Sequence, residues 1–199
     1  MLAEWDLDGN LTMWSSEQTA FMIRDSLADA LKLPRSKIRF IVPDYVGGGF
    51  GGKYESAEKI TLAVLARKAG RPVMWRLTRE EEFYTTRTRS PCIFESRTGV
   101  SKDGTFVARQ MRAIIDIGSY AWGAIMSSRA ASYMTMLYKC DNIKYTGYGV
   151  YTNTPPSGAM RGFTSTPIHY AMEAEIDEIA AAIGMDPLEF RLKNKLNVG

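Results

Sequence analysis

The sequence predicts an α+β fold, a mixed α/β domain in which a mixed sheet packs against helices. Three observations carry this. Strand-like and helix-like stretches are interleaved along all 199 residues, with no repeat, low-complexity tract or long linker. Two Asp-Gly pairs, Asp8-Gly9 and Asp103-Gly104, sit between extended runs, a hairpin signal that implies some antiparallel pairing. Met172, Ile176, Ile179, Ala180 and Ile183 recur at the spacing of an amphipathic helix.

Taken in order, residues 2–7 and 10–14 form the first hairpin. Ser15-Ser16-Glu17 reads as a helix N-cap, and Phe21, Ile23, Leu27, Ala28 and Leu31 as the apolar face of a helix that Leu33-Pro34 ends. Residues 38–42 make a short buried strand closed by Pro43, and a Gly-rich loop fills residues 47–52. Residues 55–69 read as a helix with Ile60, Ala63, Val64 and Ala66-Arg67 on its apolar face and Gly70 as its C-cap. Residues 72–77 are a strand, and residues 93–100 and 105–117 are the second hairpin. A helix is expected over 121–137 and an aromatic-rich strand over 145–151. Pro155-Pro156-Ser157-Gly158 forces a turn. A helix over 168–183 stops at Gly184, and Asp186-Pro187 starts the last helix with proline in its first turn.

Composition excludes several classes. The 45% of hydrophobic residues fills an ordinary core. No run approaches the roughly 18 apolar residues of a membrane span. The stretch Met1-Leu2-Ala3-Glu4-Trp5-Asp6 lacks the basic and apolar regions of a signal peptide, so no membrane association and a cytoplasmic location are expected. The net charge of +3 is spread over interspersed signs. The densest basic stretch, Arg87-Thr88-Arg89, is short and follows Glu80, Glu81 and Glu82, which is no nucleic-acid footprint. Cys92, Cys140 and His169 are too few for a zinc site or iron–sulfur cluster, which take about four ligands. The two cysteines read as core thiols and His169 as a structural helix residue. Any redox cofactor must be held by other groups.

The most informative stretch is Val46-Gly47-Gly48-Gly49-Phe50-Gly51-Gly52-Lys53. Its glycines bare backbone N–H groups between a strand and a helix, a place that favours an anion. Gly47, Gly52 and Lys53 satisfy the spacing of a phosphate-binding loop, but Tyr54 stands where a Ser or Thr would hold magnesium. Gly47, Gly49 and Gly52 satisfy a dinucleotide fingerprint, but the next strand ends Leu77-Thr78-Arg79 and not in an acidic residue. A flexible turn without function is disfavoured, because so many glycines cost backbone entropy without return.

The stretch from Pro43-Asp44-Tyr45 to Lys53 resembles the cofactor-facing loop of the xanthine dehydrogenase/aldehyde oxidase family of molybdenum hydroxylases. Trp14-Ser15-Ser16-Glu17-Gln18 resembles that family's glutamine segment. Thr152-Asn153 and Gly158-Ala159-Met160-Arg161-Gly162-Phe163 resemble its second signature. Ala171-Met172-Glu173, Asp177-Glu178-Ile179-Ala180, Gly184-Met185-Asp186-Pro187-Leu188-Glu189-Phe190-Arg191 and Asn194 resemble the segment after it. Order and spacing match over nearly the whole chain.

The resemblance implies a molybdopterin cofactor, with its cytosine dinucleotide form among the options. The metal is held by the pterin's dithiolene and not directly by the protein, which supplies hydrogen bonds and shape. It implies hydroxylation of an aldehyde or N-heterocycle with water as oxygen source, the electrons leaving through partner iron–sulfur clusters, with an FAD subunit as a further partner. Gln18 would hydrogen-bond an oxygen ligand of the metal. Gly49, Phe50 and Gly51 would face the metal with backbone donors. Arg161 would contact the cofactor beside it. Phe163 would stack on a small planar substrate, and Arg129 would stabilise charge developing on it. Tyr54 departs from the carboxylate common in purine-oxidising relatives and argues against xanthine. Thr164-Ser165-Thr166-Pro167 also departs, relatives often having Gly first and Gln last.

The family's general base is a glutamate downstream of these signatures. Residues 1–199 are therefore expected to be one partial cofactor-binding domain, inactive and without cofactor by itself. The rest of the subunit, or a second chain, would complete it. Two other readings stay open: a phosphate-loop nucleotide-binding domain built on Lys53, and a non-catalytic assembly module. The retention of Gln18, Phe50 and Arg161 speaks against the module.

Overall fold

The computed structural model describes residues 1–54, 57–120 and 125–196. The chain divides into two compact units, Met1–Thr86 and Arg87–Gly199. Both combine mixed sheets with helices, as the sequence predicts.

The first unit begins with β1 (Leu2–Trp5) and β2 (Leu11–Trp14), paired antiparallel from Leu2↔Trp14 to Trp5↔Leu11. The Asp6 carboxylate accepts from the Asn10 backbone N–H at 2.8 Å and closes the turn, with Gly9 in the left-handed region. After α1 (Ala20–Leu31), β3 (Ile38–Ile41) joins β2 in parallel. After α2 (Ala57–Ala69), β4 (Val73–Met74) pairs antiparallel with β1. The sheet order is β3-β2-β1-β4. Ala3, Leu11 and Met13 from the sheet, Ile23 and Leu27 from α1, and Leu62, Ala63 and Ala66 from α2 form the core.

Several sequence expectations are corrected here. The first helix is capped at Thr19 and not at Ser15-Ser16-Glu17. Those residues are used otherwise: Ser15 N–H donates to the Ile41 carbonyl, and Ser15 and Glu17 are buried. Phe21, assigned to the apolar face, is 75% exposed. On α2 the buried face is Lys59, Leu62, Ala63 and Ala66, while Val64 is exposed. The start of the predicted helix at residue 55 lies outside the described residues. The strand over 72–77 shrinks to two residues. Just after it comes a helix the periodicity does not announce, α3 (Arg79–Thr85). It starts on a capping box: Thr78 Oγ1 accepts from Glu81 N–H, and the Glu81 carboxylate accepts from Thr78 N–H at 2.7 Å. None of its residues is buried, so no apolar stripe marks it.

In the second unit β5 (Cys92–Val100) pairs antiparallel with β6 (Phe106–Gly118), and β6 pairs in parallel with β7 (Ile143–Tyr151). The helix α4 (Ile125–Met134) lies in the β6–β7 crossover; the first four residues of the helix expected there are outside the described set. The long helix α5 (Ser165–Ile183) starts three residues earlier than its periodicity suggests and ends at left-handed Gly184. The Asp186 carboxylate caps α6 (Pro187–Asn194), accepting from Leu188 and Glu189 N–H at 2.9 Å each. Met111, Ala113 and Ile115 from β6, Met126, Ala130 and Met134 from α4, and Ile168, Met172 and Ile176 from α5 fill the core. Cys92 and Cys140 are free thiols packed against it, and burial pushes Cys92 up to about 11. His169 is half-buried on α5, its ring 5.8 Å from that of Tyr133.

One core position breaks the apolar pattern. Arg109 is 2% exposed, lies over the rings of Phe106 at 4.8 Å and Tyr138 at 6.0 Å, and its guanidinium nitrogens have no hydrogen-bond partner among the described residues. Burial lowers its pKa from the ordinary arginine value. A buried charge without hydrogen bonds is a liability, so Arg109→Met is expected to stabilise the chain by about 1–3 kcal/mol. The urea midpoint would rise; a fall would mean that the aromatic contacts outweigh the desolvation of the charge.

Candidate functional site

In the first unit the Gly-rich loop closes around one side chain. Gln18 Oε1 accepts from Gly51 N–H at 2.9 Å and from Lys53 N–H at 3.4 Å, while Gln18 N–H donates to the Lys53 carbonyl at 3.0 Å. Its oxygen is occupied by donors, and the Gln18 side-chain NH2 has no acceptor among the described residues. The structure thus brings together Gln18, Gly49 and Gly51, separated by about thirty residues of sequence. Gly49 leaves room for the Gln18 side chain as placed: a Cβ there would lie 2.4 Å from Gln18 Oε1. A Cβ at Gly48 would come within 2.4 Å of the Phe50 ring, so a side chain there would displace that ring. Phe50 itself is 62% exposed with φ of 50°. It is not the core plug its size would allow. The N–H groups of Gly48, Gly49 and Phe50 find no acceptor among the described residues.

Lys53 does not project from the loop. Its ammonium donates to Ser16 Oγ at 2.7 Å and to the Val46 carbonyl, tying the loop's two ends to the segment between β2 and Gln18. Tyr54 ends a short 3-10 turn, Gly52–Tyr54, and is half-buried. Beneath Gln18 lies a network that sequence reading missed. Lys59 on α2 pairs with Glu17 at 2.9 Å, both side chains almost wholly buried, and Ser15 Oγ donates to the same carboxylate at 2.6 Å. A lysine among the apolar positions of α2 was the available signal.

In the second unit the turn Met160–Phe163 carries the predicted residues. Arg161 is exposed and Phe163 half-buried. Both are left-handed, with φ of 23° and 56°. With Phe50 they make up three of the four non-glycine residues with positive φ among those described, the fourth being a helix C-cap, Lys32. Such backbone is costly and clusters where function over-determines it. Arg129, on α4, stacks over the Phe163 ring at 4.4 Å, so the structure brings these two predicted substrate residues into contact. The buried Thr164 hydroxyl donates to the Met126 carbonyl at 2.9 Å and fastens the turn to α4.

The last matched segment is scaffold. Glu173 accepts from Arg191 Nε and from Tyr138 OH, each at 2.7 Å, and Arg191 also pairs with Asp177 at 2.7 Å. The buried Asn194 donates to the Gly104 carbonyl and accepts from Phe106 N–H, locking α6 to the β5–β6 hairpin. Among the described residues no group of three or more His, Cys, Asp or Glu could hold a metal ion, and no helix is long and apolar enough to cross a membrane.

Comparison with known proteins places the chain in a family. Residues 1–195 match the family model of the molybdopterin cofactor-binding domain. The chain is 35% identical to the xanthine dehydrogenase molybdenum-binding subunit of Escherichia coli O157:H7, covering 100% of this chain and 26% of that one. It is 35% identical to the nicotinate dehydrogenase large molybdopterin subunit of Eubacterium barkeri, covering 98% of this chain and 46% of that one. Among solved structures, the aldehyde oxidoreductase of Desulfovibrio gigas superposes with a TM-score of 0.92 at 29% identity, over 100% of this chain and 22% of that one. The chain thus spans from about a fifth to under half of the length of these proteins. With that model matched over residues 1–195, the chain belongs to the molybdopterin cofactor-binding domain family.

Proposed function

We propose that this chain is part of the cofactor-binding wall of a molybdenum hydroxylase that oxidises a planar aldehyde or N-heterocycle. The observation that carries the reading is the Gln18 cradle: Oε1 is held by Gly51 N–H, leaving the amide NH2 and the N–H groups of Gly48, Gly49 and Phe50 as uncommitted donors. Donors with no metal-ligating side chain among them suit a molybdopterin, whose metal comes with its own sulfur ligands and whose oxygens need hydrogen bonds. When bound, that group supplies a two-electron oxidation in which water provides the oxygen.

The chain's own residues then have defined tasks. Gln18 and the loop amides hold negative charge on oxygen with preorganised donors that need no rearrangement. Arg161 contacts the cofactor. Phe163 offers its ring to a flat substrate, and Arg129, stacked on that ring, offsets negative charge developing on it. Tyr54 in place of a carboxylate argues against xanthine. The cytosine dinucleotide form of the cofactor, iron–sulfur and FAD partner subunits, a completing portion of the molybdenum subunit and a cytoplasmic location belong to the same proposal. So does the absence of cofactor and activity from residues 1–199 alone.

A nucleotide-binding reading fares worse, because Lys53 is spent inside the loop on Ser16 and Val46. The deciding experiment is molybdenum analysis and substrate oxidation by the complete subunit. About one molybdenum per subunit is expected, and Gln18→Ala should lower kcat by roughly 10²-fold through loss of one preorganised donor. A well-folded subunit without molybdenum that binds ATP through Lys53 would defeat the proposal.

A further inference from the structure

Arg89 has no role in the site as described so far, yet it holds the most strained part of it. Its Nη1 donates to the Phe163 carbonyl at 2.9 Å and its Nη2 to the Arg161 carbonyl at 3.1 Å. Between those residues lies Gly162 with φ of 84°, so three successive residues are left-handed. A guanidinium is a rigid planar fork with fixed donor spacing, and it is satisfied here only while both carbonyls point the same way. The aim of the fork is itself fixed. Thr88 N–H donates to the Pro156 carbonyl at 3.2 Å, Gly158 N–H donates to the Thr88 carbonyl at 3.0 Å, and the buried Ser90 and Ser157 hydroxyls bond at 2.8 Å. Residues 88–90 are thus zipped along 156–158, and Arg89 reaches from that seam to the turn.

We propose that Arg89 is a positioning residue that clamps the 161–163 turn in its left-handed conformation and so sets the direction of the Arg161 side chain and the Phe163 ring. This use rests on reading those two residues as cofactor and substrate contacts; the clamp itself does not. A lysine has the charge but not the fork, so Arg89→Lys should rescue Arg89→Gln only in part.

The test is hydrogen exchange of the complete subunit, followed by mass spectrometry. The reporters are the amides of Phe163 and Ser165, bonded within the turn to Met160 and Gly162 carbonyls at 3.0 Å each. In Arg89→Gln their exchange should accelerate tenfold or more, with Arg89→Lys in between and α4, α5 and α6 unchanged. The same variants should raise KM for substrate more than they lower kcat, at unchanged molybdenum content. Unchanged exchange in the turn, or equal acceleration across all three helices, would overturn the clamp. A turn that loosens as expected in a subunit without molybdenum or oxidase activity would uphold the clamp and reject the hydroxylase reading instead. If Arg89→Gln does not fold, Arg89→Lys alone decides by the same exchange readout.

Discussion

Gly49→Ala is expected to lower kcat of the proposed hydroxylase by roughly 10²-fold, the loss typical of one preorganised donor, at a small cost in stability. A Cβ at residue 49 would sit 2.4 Å from Gln18 Oε1, 2.5 Å from its Cδ and 2.8 Å from its Cγ. All three atoms belong to an exposed, flexible side chain, which can swing away at little energetic cost. The backbone at Gly49 is not left-handed, so alanine adopts it without strain. What is lost is the placement of the Gln18 amide and its bond to Gly51 N–H. Thermal unfolding should therefore shift by no more than the loss of one hydrogen bond allows, about 0.5–1.5 kcal/mol. Steady-state kinetics together with a melting curve separate the two effects. An unchanged kcat would mean that Gln18 is only a loop anchor.

Lys59→Met has the opposite profile, with a large stability loss expected. The Glu17 and Lys59 side chains are 1% and 7% exposed and lie 2.9 Å apart. Glu17 Oε1 is shared with Ser15, and Oε2 has no hydrogen-bond partner among the described residues. Removing the lysine strands a buried carboxylate, which costs roughly 3–5 kcal/mol. The double variant Glu17→Gln/Lys59→Met should recover much of that, because it removes the charge as well as its partner. Denaturant unfolding of wild type, both single variants and the double variant completes the cycle. Additive losses in the double variant would show that the pair is not coupled.

Legibility differed between scaffold and site. The hairpins were readable because Asp-Gly turns are local chemistry, and α5 and α6 because Gly184 and Asp186 are standard stop and start signals. Helix α3 was overlooked since its evidence is the pair Thr78 and Glu81 and not an apolar stripe. Ser15-Ser16-Glu17 misled for a tertiary reason: residues suited to capping were recruited to a sheet bond and a buried ion pair with Lys59. At the site, Gln18, Phe50, Arg161 and Phe163 could be named from motifs. The contact between Arg129 and Phe163 and the burial of Glu17 could not, because they join segments far apart in sequence. Arg89 stood in plain view as part of a basic cluster. Charge counting says of that cluster only that it is no nucleic-acid footprint, and the bonds to the turn's carbonyls, which motivate its proposed use, join segments far apart in sequence.

The strand pairing of the second unit has a consequence for the order in which the chain assembles. The β5–β6 hairpin is closed by a local turn, with Ser101 N–H bonded to the Thr105 carbonyl, and hairpins of this kind form in about 1–10 μs. Strand β7 pairs with β6 in parallel, so residues 119–142 must first loop back with α4, and such non-local closure is slow. The turn that bears Arg161 and Phe163 follows β7 in the chain. That turn is fastened to α4 through the Thr164 hydroxyl, so it is expected to set only after the crossover has closed, later than the hairpin.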